Sequence, residues 1–246
     1  MGRGDLRLSR HRCAALLLAW LLTAWLLLAF SIRTATACTE STDLAAFIAS
    51  RYGDTIEFDV LRNGKRVGEH VTRFERDGAG IRVDSRMRLD IRILLVPVYD
   101  FTYESRARWC GDGLLELDAR VDDNGEERRT LARREAGALV VRHGDHVVRA
   151  GTGLLPTNHW NPRVVAEREV LNTLTGNVNT VSIGPCARGE PTIEQAAPGS
   201  VCYAYSGDLE TRVWYDVEGR WSGLAFSGGD GSEIIYVCRS CGAPAI

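Results

Sequence analysis

From Ile81 to Ile93 the chain alternates without a miss: Ile81, Val83, Ser85, Met87, Leu89, Ile91 and Ile93 are apolar or small, while Arg82, Asp84, Arg86, Arg88, Asp90 and Arg92 are charged. A period of two places one set on a buried sheet face and the other in water. At about 3.3 Å per residue the run spans roughly 40 Å, well beyond the usual strand, and so predicts a long, strongly curved sheet. The return arm carries Tyr99, Phe101, Tyr103, Ser105, Ala107 and Trp109 on one face and Asp100, Thr102, Glu104, Arg106 and Arg108 on the other. Cross-strand charge pairing favours the register that sets Arg92 opposite Asp100, Arg88 opposite Glu104 and Asp84 opposite Arg108. The neighbouring registers set Asp90 against Asp100 or against Glu104, and like charges disfavour such pairs. The favoured register also puts Ile93 on Tyr99, Ile91 on Phe101 and Val83 on Trp109.

Similar patterns occur on both sides. Leu44, Phe47 and Ile48 fall at helical spacing between Ser41 and Arg51, with Gly53 as a stop. Thr55–Arg62 and Val67–Phe74 read as strands joined by Asn63-Gly64, a strong hairpin signal. Gly113–Val121 turns at Asp122-Asp123-Asn124-Gly125 into the more polar Glu127–Arg134, which suits a sheet edge. Leu139–Val141 and Val147–Arg149 are short strands, and Val178–Ile183, Val201–Tyr205, Leu209–Tyr215, Arg220–Phe226 and Glu233–Val237 follow. Between them Pro156–Pro162 reads as a linker, and Arg163–Leu171 as a second helix with Asn161 as its cap and Pro162 at its first position. The fold class is mainly β: one highly curved antiparallel sheet of about ten strands, a half-open barrel, wrapped around a short helix and a linker.

Ahead of this domain, Arg3, Arg7, Arg10 and Arg12 precede an apolar run from Ala14 to Phe30 and the small residues Ala35-Thr36-Ala37. That layout predicts an export signal over residues 1–37. Retention as a membrane anchor and lipid attachment at Cys38 are the alternatives, weakened by the shortness of the apolar run and by Ala35 in place of leucine. The division is then a signal or anchor over 1–37, a short helix and linker over 38–54, the β domain over 55–238 and a tail over 239–246. Cleavage leaves a chain with a net charge near −6, which argues against nucleic acid as a partner. Lys65 stands alone beside 29 arginines, a bias that GC-rich coding explains. Six cysteines remain, an even number suited to a periplasmic, oxidising compartment. Cys186 and Cys202 flank a Pro- and Gly-bearing loop, Cys238 and Cys241 lie close together, and Cys38 and Cys110 are left to pair. The Cys-x-x-Cys of the tail follows a strand pattern rather than opening a helix, so a structural bond suits it better than a redox pair.

Several local motifs match a known family. They are Asn63-Gly64-Lys65-Arg66-Val67-Gly68-Glu69-His70, Trp109 with Gly113-Leu114 and Asp122-Asp123-Asn124-Gly125, His159-Trp160-Asn161-Pro162, Leu171-Asn172-Thr173-Leu174-Thr175-Gly176, and Trp214-Tyr215-Asp216 with Gly219-Arg220-Trp221. In these the chain resembles an exported bacterial family that carries only a domain-of-unknown-function label. In architecture it is more loosely similar to half-barrel periplasmic proteins such as lipoprotein carriers. The resemblance implies a fold and a compartment but brings no chemistry with it. Its extra cysteines set this chain apart from the family pattern.

Nucleophile and phosphate-loop motifs are missing, so the expectation is a non-catalytic protein without a cofactor or metal. His143, Asp145, His146 and His159 offer metal-type donors, but Arg142–His146 reads as a polar turn. His70 shares a face with Gly68, Thr72 and Phe74, where an imidazole serves as a base or, more commonly, as a hydrogen-bonded structural group. The first expectation is an envelope protein holding a lipid or other hydrophobic molecule on a concave face lined by Ile91, Phe101, Tyr103, Trp109, His70 and Trp160. The second is a structural or assembly protein in which those side chains fill the core. The third is a hydrolase or metal enzyme using His70 or the group His143, His146 and His159. Leu94, Leu95 and Val96 at the hairpin tip form an apolar contact, acting as a lid, touching a membrane, or tucking beneath the first helix.

Overall fold

The computed structural model describes Cys38, residues 42–93 and 96–187, Ile193, Ala196 and residues 198–242; the proposed leader and the tip residues Leu94 and Leu95 lie outside them. Among the described residues one α-helix, α1 (Thr42–Arg51), precedes fifteen strands. These are β1 (Thr55–Arg62), β2 (Lys65–Asp77), β3 (Gly80–Ile93), β4 (Val96–Cys110), β5 (Gly113–Asp123), β6 (Glu126–Glu135), β7 (Ala138–His143) and β8 (His146–Ala150), then β9 (Leu155–Pro156), β10 (Glu169–Leu171), β11 (Val178–Pro185), β12 (Val201–Gly207), β13 (Thr211–Tyr215), β14 (Trp221–Ser227) and β15 (Glu233–Ser240). They form a single open sheet in the order β8-β7-β6-β5-β4-β3-β2-β1-β15-β14-β13-β12-β11-β10-β9. Two meanders therefore meet where β1 pairs antiparallel with β15. Fifteen is more than the expected ten or so, and the two strands the pattern does not show at all, β9 and β10, are only two and three residues long.

Alternation governs the sheet as the sequence predicts. Ile81, Val83, Ser85, Met87 and Leu89 are buried on β3 and Phe101, Tyr103, Ser105, Ala107 and Trp109 on β4, while Arg86, Arg88 and Arg106 are exposed. The register differs from the expected one by two residues: Arg86 faces Glu104, Arg88 faces Thr102, and Asp90 faces Asp100. Accordingly Ile91 pairs with Tyr99, Leu89 with Phe101 and Ile81 with Trp109. A two-residue shift keeps every side chain on its own face, so burial does not discriminate between the two registers. The like pair is tolerated because Arg92 bonds both carboxylate oxygens of Asp90 from within the same strand, at 2.9 and 3.0 Å from its Nε, and holds that carboxyl below its usual range. Arg82 and Arg108 also stand opposite each other, but Arg82 takes Glu75 and Asp84 while Arg108 takes Asp77 and Glu116. Water screens exposed pairs of this kind, so each acid is free to serve whichever arginine the core packing brings near.

The second helix is not formed. Asn161 does cap and Pro162 does begin a helical segment, but it is a 3-10 turn that ends at Ala166. Val164 and Val165 are β-branched and poor helix formers, and Glu169–Leu171 instead pairs with Val178–Thr180 as β10. All three expected disulfides form: Cys38–Cys110, Cys186–Cys202 and Cys238–Cys241. With its sulfur bonded to Cys110, Cys38 has no thiol left for lipid attachment. The Cys186–Cys202 loop lays Ile193 on the outer face of the second meander, against Trp214 and Ala225, where a Cβ on Gly223 would stand 2.3 Å from the Ile193 Cδ1.

The three bonds close chain segments of 72, 16 and 3 residues. Loop-closure entropy makes the longest the most valuable, at about 4 kcal/mol against about 1.5 kcal/mol for the shortest. Paired alanine substitution at Cys38 and Cys110 should therefore lower unfolding free energy more than the same substitution at Cys238 and Cys241. Urea denaturation of the two double variants checks the order.

Candidate functional site

Successive antiparallel strands bring alternate turns to the same end. The β1–β2, β5–β6, β7–β8, β12–β13 and β14–β15 turns share one end, together with the β3–β4 connection, and α1 lies at the other. Val96 at the tip is 60% exposed and stands at the end opposite α1, so it does not tuck beneath the helix.

The α1 end is closed by aromatic side chains. Tyr52, the residue after α1, is fully buried, and its hydroxyl joins three segments by donating to the Trp160 carbonyl at 3.0 Å and accepting from the Trp221 amide at 2.7 Å. Its ring stacks on Phe74 at 5.6 Å. Trp160 packs edge-on to Phe74 at 5.5 Å and to Trp109 at 5.2 Å. Phe58 and Trp221 approach to 4.2 Å beside them. Thus the expected linker is the plug of the barrel, and Trp160 is 0% exposed at its centre.

A second contact from the same stretch crosses the interior. Thr72, Ser85, Ser105, Ala119, Thr130 and His143 lie opposite one another from β2 to β7, a transverse row of mostly small side chains. Thr72 bonds Ser85 at 2.9 Å and Thr130 bonds the His143 Nδ1 at 2.9 Å, while the Ser105 hydroxyl between these pairs is buried without a partner. Beside it the β10–β11 turn folds in: Thr173 meets the Tyr103 hydroxyl at 2.9 Å, and Gly176 fits against His143 where a Cβ would stand 2.4 Å from that residue's own Cβ.

Burial weakens away from the plug. Phe58, Val83 and Trp109 are 0%, 1% and 2% exposed, whereas Met87, Leu89 and Phe101 reach 8% and Ile91, Tyr99, His70, Val67 and Phe226 are only half-buried. Val67 joins this face because a bulge in β2 turns it inward between Gly68 and Arg66. Of the six expected ligand residues, Trp109, Trp160, Tyr103 and Phe101 are therefore packed by the chain itself, Ile91 stays half-exposed, and His70 keeps a partly exposed edge while its Nδ1 is shut from solvent. Tyr99, Val67 and Phe226, not singled out from the sequence, complete the half-exposed rim. The Tyr99 hydroxyl donates to Asp123 at 2.8 Å, and burial with that carboxylate pushes it up to about 12. Clefts of about 430, 600 and 570 Å³ lie on the outer face between charged side chains, and none is lined by the six residues.

Two histidines pack against Trp221 in the aromatic cluster. The His70 ring lies 5.5 Å from Trp221 and 5.5 Å from Tyr236, with its Nδ1 shut from solvent and unpartnered. His159 lies 5.7 Å from Trp221 and 5.6 Å from Tyr205. His143 and His146 instead face each other across the β7–β8 turn, and among the described residues no three His, Cys, Asp or Glu side chains converge as a metal site. Burial lowers His70 from 6.5 to about 4, and burial with the neighbouring His70 lowers His159 to about 3. Both rings are thus neutral at pH 7 and take up protons more readily in the unfolded chain.

The profile of a family described as "Domain of unknown function (DUF6134)" matches residues 58–239. Among solved structures the chain is similar to a beta-barrel-like protein of the domain of unknown function DUF1849 from Brucella abortus. The likeness has a TM-score of 0.51 at 14% identity and covers 78% of this chain and 98% of the other. At that identity it is a likeness of fold alone. No curated protein matches the chain.

Because the unfolded state binds more protons between pH about 6.5 and about 4, stability should fall as pH drops through that window, by roughly 2 kcal/mol per ring. Urea unfolding at pH 7 and pH 4.5 measures this loss. His159→Gln should reduce the difference between the two pH values, whatever it does to stability at pH 7.

Proposed function

The chain belongs to the DUF6134 family, a domain of unknown function, and on that footing we propose that it is an exported, non-catalytic envelope protein that binds an apolar molecule at the open end of its barrel. The observation that carries this reading is the gradient of burial on one continuous inner face. At the plugged end Phe58, Trp109 and Trp160 are closed off by the chain itself; at the other end Val67, Ile91, Tyr99 and Phe226 expose apolar surface at the rim. Apolar side chains grouped this way gain free energy from any hydrocarbon that covers them, at about 25 cal/mol per Å². Ligand contact is thus confined to the rim, and the plug residues serve stability.

Export is the compartment this reading requires. The basic, apolar and small-residue layout of residues 1–37 supports it, and so do three disulfides, which persist only where thiols are not kept reduced.

A second reading, a structural or assembly protein, draws on the filled half of the barrel, where Trp160 and Thr173 occupy space a larger ligand would need. A fluorescent apolar probe, N-phenylnaphthylamine, separates the two. Under the binding reading it binds saturably, Ile91→Asp and Phe226→Asp weaken it about tenfold or more, and Val217→Asp, on the exposed β13–β14 turn at the α1 end, leaves it unchanged. No saturable binding, together with protein purified from the periplasm that carries no extractable lipid, would favour the structural reading.

A further inference from the structure

The two ends of the open sheet are unlike. β9 is two residues long, buried, and contains Pro156, which has no N–H to offer a neighbour. β8 is a five-residue edge without proline, lysine or a bulge, exposed from His146 to Arg149, with Val147 60% and Val148 38% exposed. Sheet edges are ordinarily blunted by such devices.

The β7–β8 hairpin closes with His143 opposite His146 across the two residues Gly144 and Asp145. The pair next to a two-residue turn is a hydrogen-bonded one, and hydrogen-bonded and non-bonded pairs then alternate along the ladder. His146, Val148 and Ala150 therefore direct their backbone groups to β7, and Val147 and Arg149 direct theirs to the open edge. Val147 and Arg149 also share one face, and Asp145 is the turn residue two positions before Val147. Neither Asp145 nor Arg149 forms an ion pair among the described residues, and Glu135, which lies in the field of Arg149, is already bonded by Arg142 at 3.0 Å.

We propose that β8 is a self-association edge whose occupant is a second copy of this chain, paired antiparallel about Val147. That register sets Val147 against Val147 of the second copy as a hydrogen-bonded pair. It also brings each Arg149 opposite Asp145 of the other copy, so both otherwise unpaired charges are matched twice by symmetry. Shifting the two-fold to Val148 loses both charge pairs, and shifting it to Arg149 sets arginine against arginine. The strand sequence thus complements itself in one register, which is what a two-fold interface requires. A single short edge buries less surface than a stable dimer needs, so the association is reversible and concentration-dependent.

Sedimentation velocity of the folded chain from about 1 μM to about 1 mM tests this. The mass should rise from monomer toward dimer across the range. Arg149→Glu should weaken association about tenfold or more, Val147→Pro should abolish it, and the double variant Asp145→Arg/Arg149→Glu should restore it. Circular dichroism and thermal midpoints should show each variant folded, since β8 lies at the edge. A chain that stays monomeric throughout, or an Arg149→Glu variant that associates like the parent, would overturn the proposal.

Discussion

A sheet with a continuous apolar face must bury it, and among the described residues every strand belongs to the same sheet, so no second sheet covers it. The long strands answer by curving, and a curved sheet of fifteen strands encloses more space than its own inward side chains fill. The chain therefore supplies the filling from the stretch between β8 and β11. Trp160 seats against Trp109 and Phe74, and Tyr52 ties it to the start of β14 through one hydroxyl. Remove that seat and the α1 end has nothing to close on. Whole-indole burial of this kind is typically worth about 3–5 kcal/mol when lost, which is a large share of the stability of a domain this size.

The same demand explains the small polar row across the middle. Leucine at Thr72, Ser85, Ser105 or Thr130 would fill the interior from the sheet side and leave no room for the β10–β11 turn. With small residues there, Thr173 reaches Tyr103 and Gly176 reaches His143. Thr72 with Ser85 and Thr130 with His143 satisfy most of the row, and the buried Ser105 hydroxyl is the one member left without a partner. Past it the filling thins, and Ile91, Tyr99 and Phe226 stand half-covered. Plug, row and rim are three depths of one interior, and only the rim has surface to offer a ligand.

Most of the fold was legible because period-two alternation depends on nothing but the sheet itself. The strand from Ile81 to Ile93 and its return arm read directly, as did Cys186 with Cys202 from the loop they flank, whereas Cys38 and Cys110 were joined only as the two left over. The register did not, because a shift of two residues preserves every face, and the choice rested on surface charges whose partners rearrange: Asp90 is held by Arg92 in its own strand rather than by a residue across from it. Glu169–Leu171 was misread as helix because three residues are too few to display a period, and only their pairing with β11 makes them a strand. Of the candidate site, Ile91 and His70 could be placed on the inner face from parity. Trp160 could not be placed, since an aperiodic loop carries no signal of what it packs against. Val67 was hidden by a bulge that breaks the alternation, and Tyr52 by its position just past a helix.

The central claim is that one inner face is sealed at the α1 end by the chain's own tryptophans and open at the other. Hydroxyl-radical footprinting of the native protein, read residue by residue by mass spectrometry, tests it most directly because tryptophan is intrinsically among the most reactive side chains. The account predicts labelling at Tyr99 and Phe226 while Trp109, Trp160 and Trp221 stay unmodified. Labelling of Trp160 and Trp109 at rates equal to those of Tyr99 and Phe226 would contradict it.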